Sequence, residues 1–349
     1  MVVSPSFQDK YVDYLIKELK LKVDEFKDLE TIYIGGGTPS VLKLSTLEKL
    51  FIELHNKIDF SKIKEFTIEA NPADVTIDFI NLIKKYKVNR ISLGVESLDK
   101  KKLLLLNRKH NKKQVINALK LLKENNINNI NVDLIYGLNN ESFNVIRKDI
   151  KALRKYVTHF SCYNLILEEK TILYKLKEKG LFKELSEGKE KKIYYKIIKL
   201  LERNGFKQYE VSNFALDSFA SIHNLIYWDC NYYSAIGASA SSFISKSRKT
   251  NINNINLYYE GIDKKKLNYS LVEELKEEDE IKEFIMMGLR KIDGIDLNEF
   301  KERFNIDFME KYPFTRNLID KGVLNKNKSS LKVARSALFV MNEILVYYM

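Results

Sequence analysis

Four places in the chain carry residues whose types and spacing could do chemistry. The first is Gly35-Gly36-Gly37-Thr38-Pro39-Ser40, which follows the run Thr31-Ile32-Tyr33-Ile34. Three glycines at a strand's end let backbone N–H and C=O groups approach a ligand without Cβ obstruction. Pro39 fixes the exit of this turn, and Thr38 and Ser40 offer hydroxyls. Ser40 stands where a dinucleotide-binding turn needs its third glycine, and no Gly-Lys-Ser/Thr follows, so neither common phosphate loop is present. The other three are single acids, Glu69, Glu96 and Asp133. Carboxylates so placed can accept from ligand hydroxyls or hold a divalent cation through oxygen.

The elements that must position them follow from periodicity. Apolar stripes predict helices over 8–22, 45–57, 76–86, 99–105, 112–124, 142–154 and 188–204. Short apolar runs predict strands over 31–34, 66–70, 90–96, 130–135, 159–165 and 208–211. Strand and helix alternate about six times, the pattern of a parallel sheet, open or closed into a barrel. The glycine turn and the three acids each fall at the C-terminal end of a separate strand, the edge where such sheets bind ligands. Taken singly, Glu69 could cap a helix and Asp133 could be a satisfied buried carboxylate. Four polar strand ends in succession favour a site.

Beyond 212 the texture becomes irregular and aromatic, with His223, Tyr227 and the single Trp228, then the small-residue run 235–242. Trp228 reads as a packed corner, while His223 is poised between core and site. Helices over 278–290 and 296–304, a segment near 314–322, a hairpin around 322–333 and a helix over 335–347 suggest a winged-helix appendix. The expected division is therefore a barrel over 1–212, an irregular extension over 213–277 and a winged-helix-like, α-rich domain over 278–349.

Composition narrows the classes. The chain has 349 residues, 45% of them hydrophobic and 30% charged. No apolar run is long enough to span a membrane, and no secretory signal pattern opens the chain. Two cysteines, Cys162 and Cys230, make no disulfide framework and point to a reducing cytoplasm. The net charge of +12 is spread along the chain and interleaved with acidic runs such as Glu277-Glu278-Asp279-Glu280. No arginine cluster marks one helix, so a nucleic-acid partner is not expected.

The motifs together carry a resemblance. Gly-Gly-Gly-Thr-Pro-Ser (35–40), Glu-Ala-Asn-Pro (69–72), Ser-Leu-Gly-Val-Glu-Ser (92–97), Asn-Arg-Lys-His (107–110) and Asn-Val-Asp-Leu-Ile-Tyr-Gly-Leu (131–138) resemble the radical S-adenosylmethionine family of oxygen-independent coproporphyrinogen III oxidases. Gln-Tyr-Glu-Val-Ser-Asn-Phe-Ala (208–215) and His-Asn-Leu-Ile-Tyr-Trp (223–228) resemble its heme-chaperone branch. The resemblance covers nearly the whole chain. It implies an α/β fold, a partial (β/α)6 radical S-adenosylmethionine barrel, here with the first strand missing, followed by a winged-helix-like domain. It implies that Gly36, Gly37 and Thr38 contact S-adenosylmethionine, and that Glu69, Glu96, Arg108 and Asp133 line its methionine and ribose parts. Arginine suits that role because it can clamp a carboxylate in bidentate fashion. It further implies heme or porphyrin as ligand, with His223 and Tyr227 as candidate contacts, and a heme-accepting protein as partner.

The sequence departs from the family in three ways. The family's three-cysteine loop, whose thiolates hold a [4Fe–4S] cluster, has no counterpart, because no cysteine precedes Cys162. Glu96 stands where the family has Gln, and Ser239-Ala240-Ser241-Ser242 lacks the family's His. The expectation is a chain whose natural start lies upstream, or else a cluster-free degenerate paralogue; the intact barrel motifs favour the first. As it stands the chain is expected to lack the family's oxidoreductase chemistry. An alternative from another class is a divalent-metal barrel enzyme using Glu69, Glu96 and Asp133.

Overall fold

A computed structural model describes residues 4–138, 141–169 and 171–349. The main sheet holds β1 (Thr31–Ile34), β2 (Glu65–Ala70), β3 (Arg90–Glu96), β4 (Asn129–Tyr136), β5 (His159–Asn164), β6 (Lys207–Gln208) and β7 (Asn213–Ala215), in the order β1-β2-β3-β4-β5-β7-β6. Strands β2 to β5 pair in parallel, and β7 pairs antiparallel with both β5 and β6. The strand expected over 208–211 is therefore replaced by two short antiparallel ones, with the chain turning back at Tyr209–Ser212. The turn is held by the Tyr209 N–H donating to Asn213 O at 3.2 Å and by Tyr194 OH donating to Val211 O at 3.0 Å.

The helices are α1 (Pro5–Leu21), α2 (Leu44–Lys57), α3 (Ile77–Lys85), α4 (Lys100–Leu105), α5 (Lys112–Glu124), α6 (Phe143–Leu153), α7 (Ile172–Glu178) and α8 (Glu187–Glu202). Most begin at a polar cap: Thr76 accepts from Phe79 N–H, Asp99 from Lys102 N–H, and Asn111 and Gln114 form a reciprocal capping box. Helix α7 has no counterpart in the periodicity-based expectation; among its residues only Leu173 is buried.

Alternation along the strands gives the sheet two unlike faces. Phe66, Ile68, Ile91, Leu93, Val95, Ile130, Val132, Leu134 and Phe160 point one way and are buried, together with the apolar stripes of α3, α5, α6 and α8. The other face carries Thr67, Glu69, Arg90, Ser92, Gly94, Glu96, Asn131, Asp133, His159 and Ser161. Parallel strands covered on both sides normally read as continuous apolar runs. Here one face is polar along four neighbouring strands.

By their contacts the residues form two compact units. One comprises Tyr33–Val41 and Glu65–Ala220; the other comprises Met1–Ile32, Leu42–Lys64 and Ser221–Met349. In the second unit, α1 lies beside α2, with Asp9 taking hydrogen bonds from Thr46 and Lys43. The stretch expected to be irregular holds α9 (Ile222–Trp228), an antiparallel sheet of β8 (Ser241–Ile244), β9 (Ser247–Asn251) and β10 (Tyr269–Glu274), and α10 (Ile255–Asp263). The small-residue run packs against α1: a Cβ on Gly237, whose φ is +113°, would lie 2.9 Å from Tyr11 Oη. The buried Glu18 of α1 accepts from Gly237 N–H at 2.8 Å, Asn251 Nδ2 at 2.7 Å and Tyr258 Oη at 2.6 Å.

The C-terminal part of this unit contains α11 (Glu277–Gly288), β11 (Ile295–Asp296), α12 (Leu297–Phe304), α13 (Phe308–Lys311), α14 (Thr315–Asp320), and the hairpin β12 (Leu324–Asn327) and β13 (Ser330–Val333), to which β11 adds a third strand. Its core is aromatic, with Phe284, Phe300, Phe304, Phe308, Tyr312 and Tyr348 in mutual ring contact. The continuous last helix expected over 335–347 is instead a 3-10 turn, α15 (Met341–Leu345) and a second 3-10 turn. Ala337, Leu338, Met341, Ile344, Leu345 and Tyr348 are its buried residues.

Candidate functional site

The glycine turn after β1 uses its glycines differently. A Cβ on Gly35 would lie 2.6 Å from Tyr33 Cε1 and 2.7 Å from Glu69 Cδ. The missing side chain makes room for Tyr33 Oη to donate to Glu69 Oε1 at 2.7 Å. Gly36 has φ +89°, and a Cβ on Gly36 or Gly37 would meet nothing within 4 Å, so the backbone there is open to a ligand. Ser40 faces elsewhere: its hydroxyl donates to Asp74 Oδ2 at 2.8 Å and accepts from Asn71 N–H at 3.0 Å, tying the turn to the end of β2.

Glu96 ends β3 at a register irregularity between Leu93 and Glu96. Its φ of +58° lies in the left-handed region, which a residue other than glycine occupies only when its surroundings hold it there. Arg108 Nη2 donates to Glu96 Oε1. The loop carrying Arg108 is anchored twice: Arg108 N–H donates to Leu103 O at 2.8 Å, and His110 Nε2 lies 3.0 Å from Val95 O. Burial pushes the Glu96 carboxyl up to about 7, against the pull of Arg108 and with a further push from Asp133.

Asp133 accepts from Asn131 Nδ2 at 2.9 Å and from Ser92 Oγ at 3.4 Å. Burial raises its carboxyl, and the hydrogen bond from Asn131 is the largest opposing effect. Glu69 is likewise raised by burial, opposed first by the Tyr33 hydroxyl. Behind them lies a polar row that sequence reasoning missed. Glu69, Ser92, Asn131 and His159 sit opposite one another across β2, β3, β4 and β5. The fully buried His159 has its basicity lowered well below the usual value, chiefly by burial. Its neutral ring donates through Nδ1 to Asn131 Oδ1 at 2.6 Å, which leaves Nε2 to accept from Tyr209 Oη at 2.8 Å. The signal was available as every-second-residue polarity in β3, β4 and β5.

Gly36, Gly37, Thr38, Glu69, Glu96, Arg108 and Asp133 all line one cavity of about 350 Å³, together with Asn71, Ser92 and Gly94. His223 and Tyr227 are not among its lining residues. They sit on α9 in the other unit, where His223 Nδ1 lies 2.8 Å from Thr31 Oγ1 and the two rings meet edge-on at 5.0 Å.

The side-chain geometry gives the divalent-metal alternative no support. Among the described residues no group of three or more His, Cys, Asp or Glu is placed to hold a metal ion. The three acids are instead each engaged by a different neighbour: Tyr33, Arg108 and Asn131. An iron–sulfur cluster fits no better in this sequence. Its two cysteines, Cys162 buried in β5 and Cys230 beyond α9, belong to different units and cannot supply three thiolates. A polar ligand carrying hydroxyls and a carboxylate does fit the cavity, which offers open peptide groups, carboxylate acceptors and one guanidinium.

Comparison with known proteins shows the family. Residues 4–153 match the radical SAM superfamily, and residues 275–340 match the HemN C-terminal domain. The heme chaperone HemW of Bacillus subtilis (strain 168) is 31% identical over 342 residues, covering 96% of this chain and 90% of its own length. The heme chaperone HemW of Lactococcus lactis subsp. lactis (strain IL1403) is 37% identical over 306 residues, covering 87% of this chain and 79% of its own length. The chain belongs to the heme chaperone HemW family. The solved structure of coproporphyrinogen III oxidase (HemN) from Escherichia coli, described as a radical SAM enzyme, superposes with a TM-score of 0.85 at 18% identity, covering 99% of this chain and 84% of that one. At that identity the likeness speaks for the fold, an α/β radical SAM architecture with a helical C-terminal domain. The radical SAM superfamily implies S-adenosylmethionine and a [4Fe–4S] cluster as cofactors. No helix among the described residues is long and apolar enough to cross a membrane.

Proposed function

We propose that the cavity at the strand ends binds S-adenosylmethionine and that the chain handles heme, as the names of its HemW relatives state of them. One observation carries the first half: the glycine turn, three acids and one arginine, scattered over about a hundred residues of sequence, line a single cavity. The open peptide groups at Gly36 and Gly37 and the Thr38 hydroxyl would meet the polar end of the ligand. Asp133 and Glu69 would accept from its hydroxyl or ammonium groups, and Arg108 would hold its carboxylate. No radical step is derived, because the thiolates for a cluster have no place in this sequence.

For heme, the candidates are His223 and Tyr227 on α9. An imidazole can ligate iron, and a tyrosine ring can pack on a porphyrin face. A heme-accepting protein would then be the partner, with 278–349 as a winged-helix-like module suited to docking it. Two free cysteines support a reducing compartment, the cytoplasm.

Isothermal titration with S-adenosylmethionine tests the first half; one site is expected, weakened at least about tenfold by Arg108→Ala. Absence of binding overturns it. Heme titration followed in the Soret band tests the second, with His223→Ala and Tyr227→Phe expected to weaken binding. Unchanged spectra and affinity in both variants would remove these two residues from the heme site.

A further inference from the structure

Arg108 is the one cation among the residues lining the cavity, and it is already engaged by Glu96. The pair is lopsided: the Glu96 side chain is 8% exposed and the Arg108 side chain 38%. The acid lies inside and the cation nearer the solvent. Glu69 and Asp133 add two more carboxyls to the same walls. A ligand carboxylate therefore meets a guanidinium that is already neutralised, in a cavity whose remaining charges are acidic. Like charges held this close in a partly desolvated site cannot all stay ionised.

We propose that Glu96 couples ligand binding to a proton: each ligand carboxylate that docks on Arg108 is accompanied by uptake of one proton onto Glu96. The inference rests on the reading of this cavity as an S-adenosylmethionine site. In the free protein the Glu96 carboxylate is paired with the Arg108 guanidinium. On binding, the ligand carboxylate takes that guanidinium, and solvent supplies the proton that turns Glu96 into a neutral acid. No covalent bond changes other than the new O–H, and the proton offsets the charge of the ligand carboxylate, while the ligand's cationic groups face Glu69 and Asp133. The neutral acid keeps a hydrogen-bond donor, as a carboxamide at this position would at every pH.

The groups around Glu96 agree on direction. Burial pushes its carboxyl up to about 7, Asp133 pushes further, and Arg108 and Lys102 oppose. Lys102 is committed to Glu141 at 2.6 Å, both buried. His110, on the Arg108 loop, has its basicity lowered, chiefly by burial. Glu69 is raised by its own burial. Loss of the Arg108 bond removes one of the effects that keep Glu96 ionised, so its proton affinity rises further when the ligand arrives.

The test is calorimetric titration of S-adenosylmethionine into the full chain and into Glu96→Gln. It runs from about pH 6 to about pH 8.5, in buffers of different ionisation enthalpy. The ligand's own α-amino group also titrates toward this range, near 8 in model peptides, and contributes equally to both proteins. The readout is therefore the difference between them. Above about pH 7 the full chain should take up close to one proton more than Glu96→Gln. Its affinity should fall by up to about tenfold per pH unit relative to the variant. Tight binding in both proteins with equal proton uptake and parallel pH profiles overturns the coupling and leaves the cofactor site standing. Binding by neither protein overturns the site and the coupling with it.

Discussion

Asn131 and Ser92 hold Asp133 from within the sheet, at 2.9 and 3.4 Å, so the carboxylate is oriented before a ligand arrives. Asp133→Ala should weaken S-adenosylmethionine binding about ten- to a hundredfold, the worth of a hydrogen bond to a charged group. Cys162→Ala, two strand positions deep in β5 and 3% exposed, should leave affinity nearly unchanged, since burial keeps its thiol protonated. Equal losses in calorimetry would reject the assignment. Glu210 offers a pH test away from the cavity walls. It is 1% exposed, its Oε1 has no hydrogen-bond partner among the described residues, and burial pushes its carboxyl up to about 7 from an ordinary 4.5. The folded state therefore binds the Glu210 proton more tightly than the unfolded state. Stability should fall as pH rises from 4.5 to about 7 and level off above that. Glu210→Gln should flatten this slope in thermal melts taken across the range; identical slopes would contradict it. The acids and the glycine turn were legible because each ends a strand. The residues that orient them were not, because Asn131, His159 and Ser161 lie inside strands, where a polar side chain gives no sign of its partner.

At the scale of elements, legibility followed burial. Helix α5 was expected over 112–124 and occupies Lys112–Glu124, since four buried apolar residues and a capping box mark its stripe and its start. Asn111→Ala should remove the box and lower stability by about 1 kcal/mol, seen as a lower urea midpoint with an unchanged slope. No shift would mean that the Asn111 side chain is dispensable there. The strands β9 and β10 escaped notice for the converse reason. Ser247-Arg248-Lys249-Thr250-Asn251 is polar throughout, and β10 is exposed along nearly its whole length. Their order comes from backbone pairing and from Arg248 reaching Glu283 at 2.7 and 2.9 Å, neither of which leaves a hydrophobic period. Helix α9 buries none of its own residues, and it too was read as irregular.

For the whole molecule, the sequence spoke clearly of strand–helix alternation and not of how distant segments join. Glu18 is the clearest case: an acid on an apolar helix stripe, whose three partners lie 219, 233 and 240 residues downstream. Glu18→Ala would leave three buried donors without an acceptor, at about 1–3 kcal/mol each. The unit built from Met1–Ile32, Leu42–Lys64 and Ser221–Met349 should lose stability selectively. Trp228 reports on that unit, so its fluorescence transition should move to lower denaturant than the far-ultraviolet circular dichroism transition. Coincident transitions would show that the two units unfold as one. The same long spans set an order of events on the ribosome. The first helix emerges more than two hundred residues before Tyr258. At roughly 5–20 residues per second that is a wait of about 10–50 s. Through that interval α2 can cover one side of it, but the face around Glu18 lacks Gly237, Asn251 and Tyr258, while the last residues of the sheet-forming segment, ending at Ala220, are already made. Nascent chains stalled near residue 220 should therefore offer α1 to holding chaperones, and release it only once the three-stranded sheet is complete.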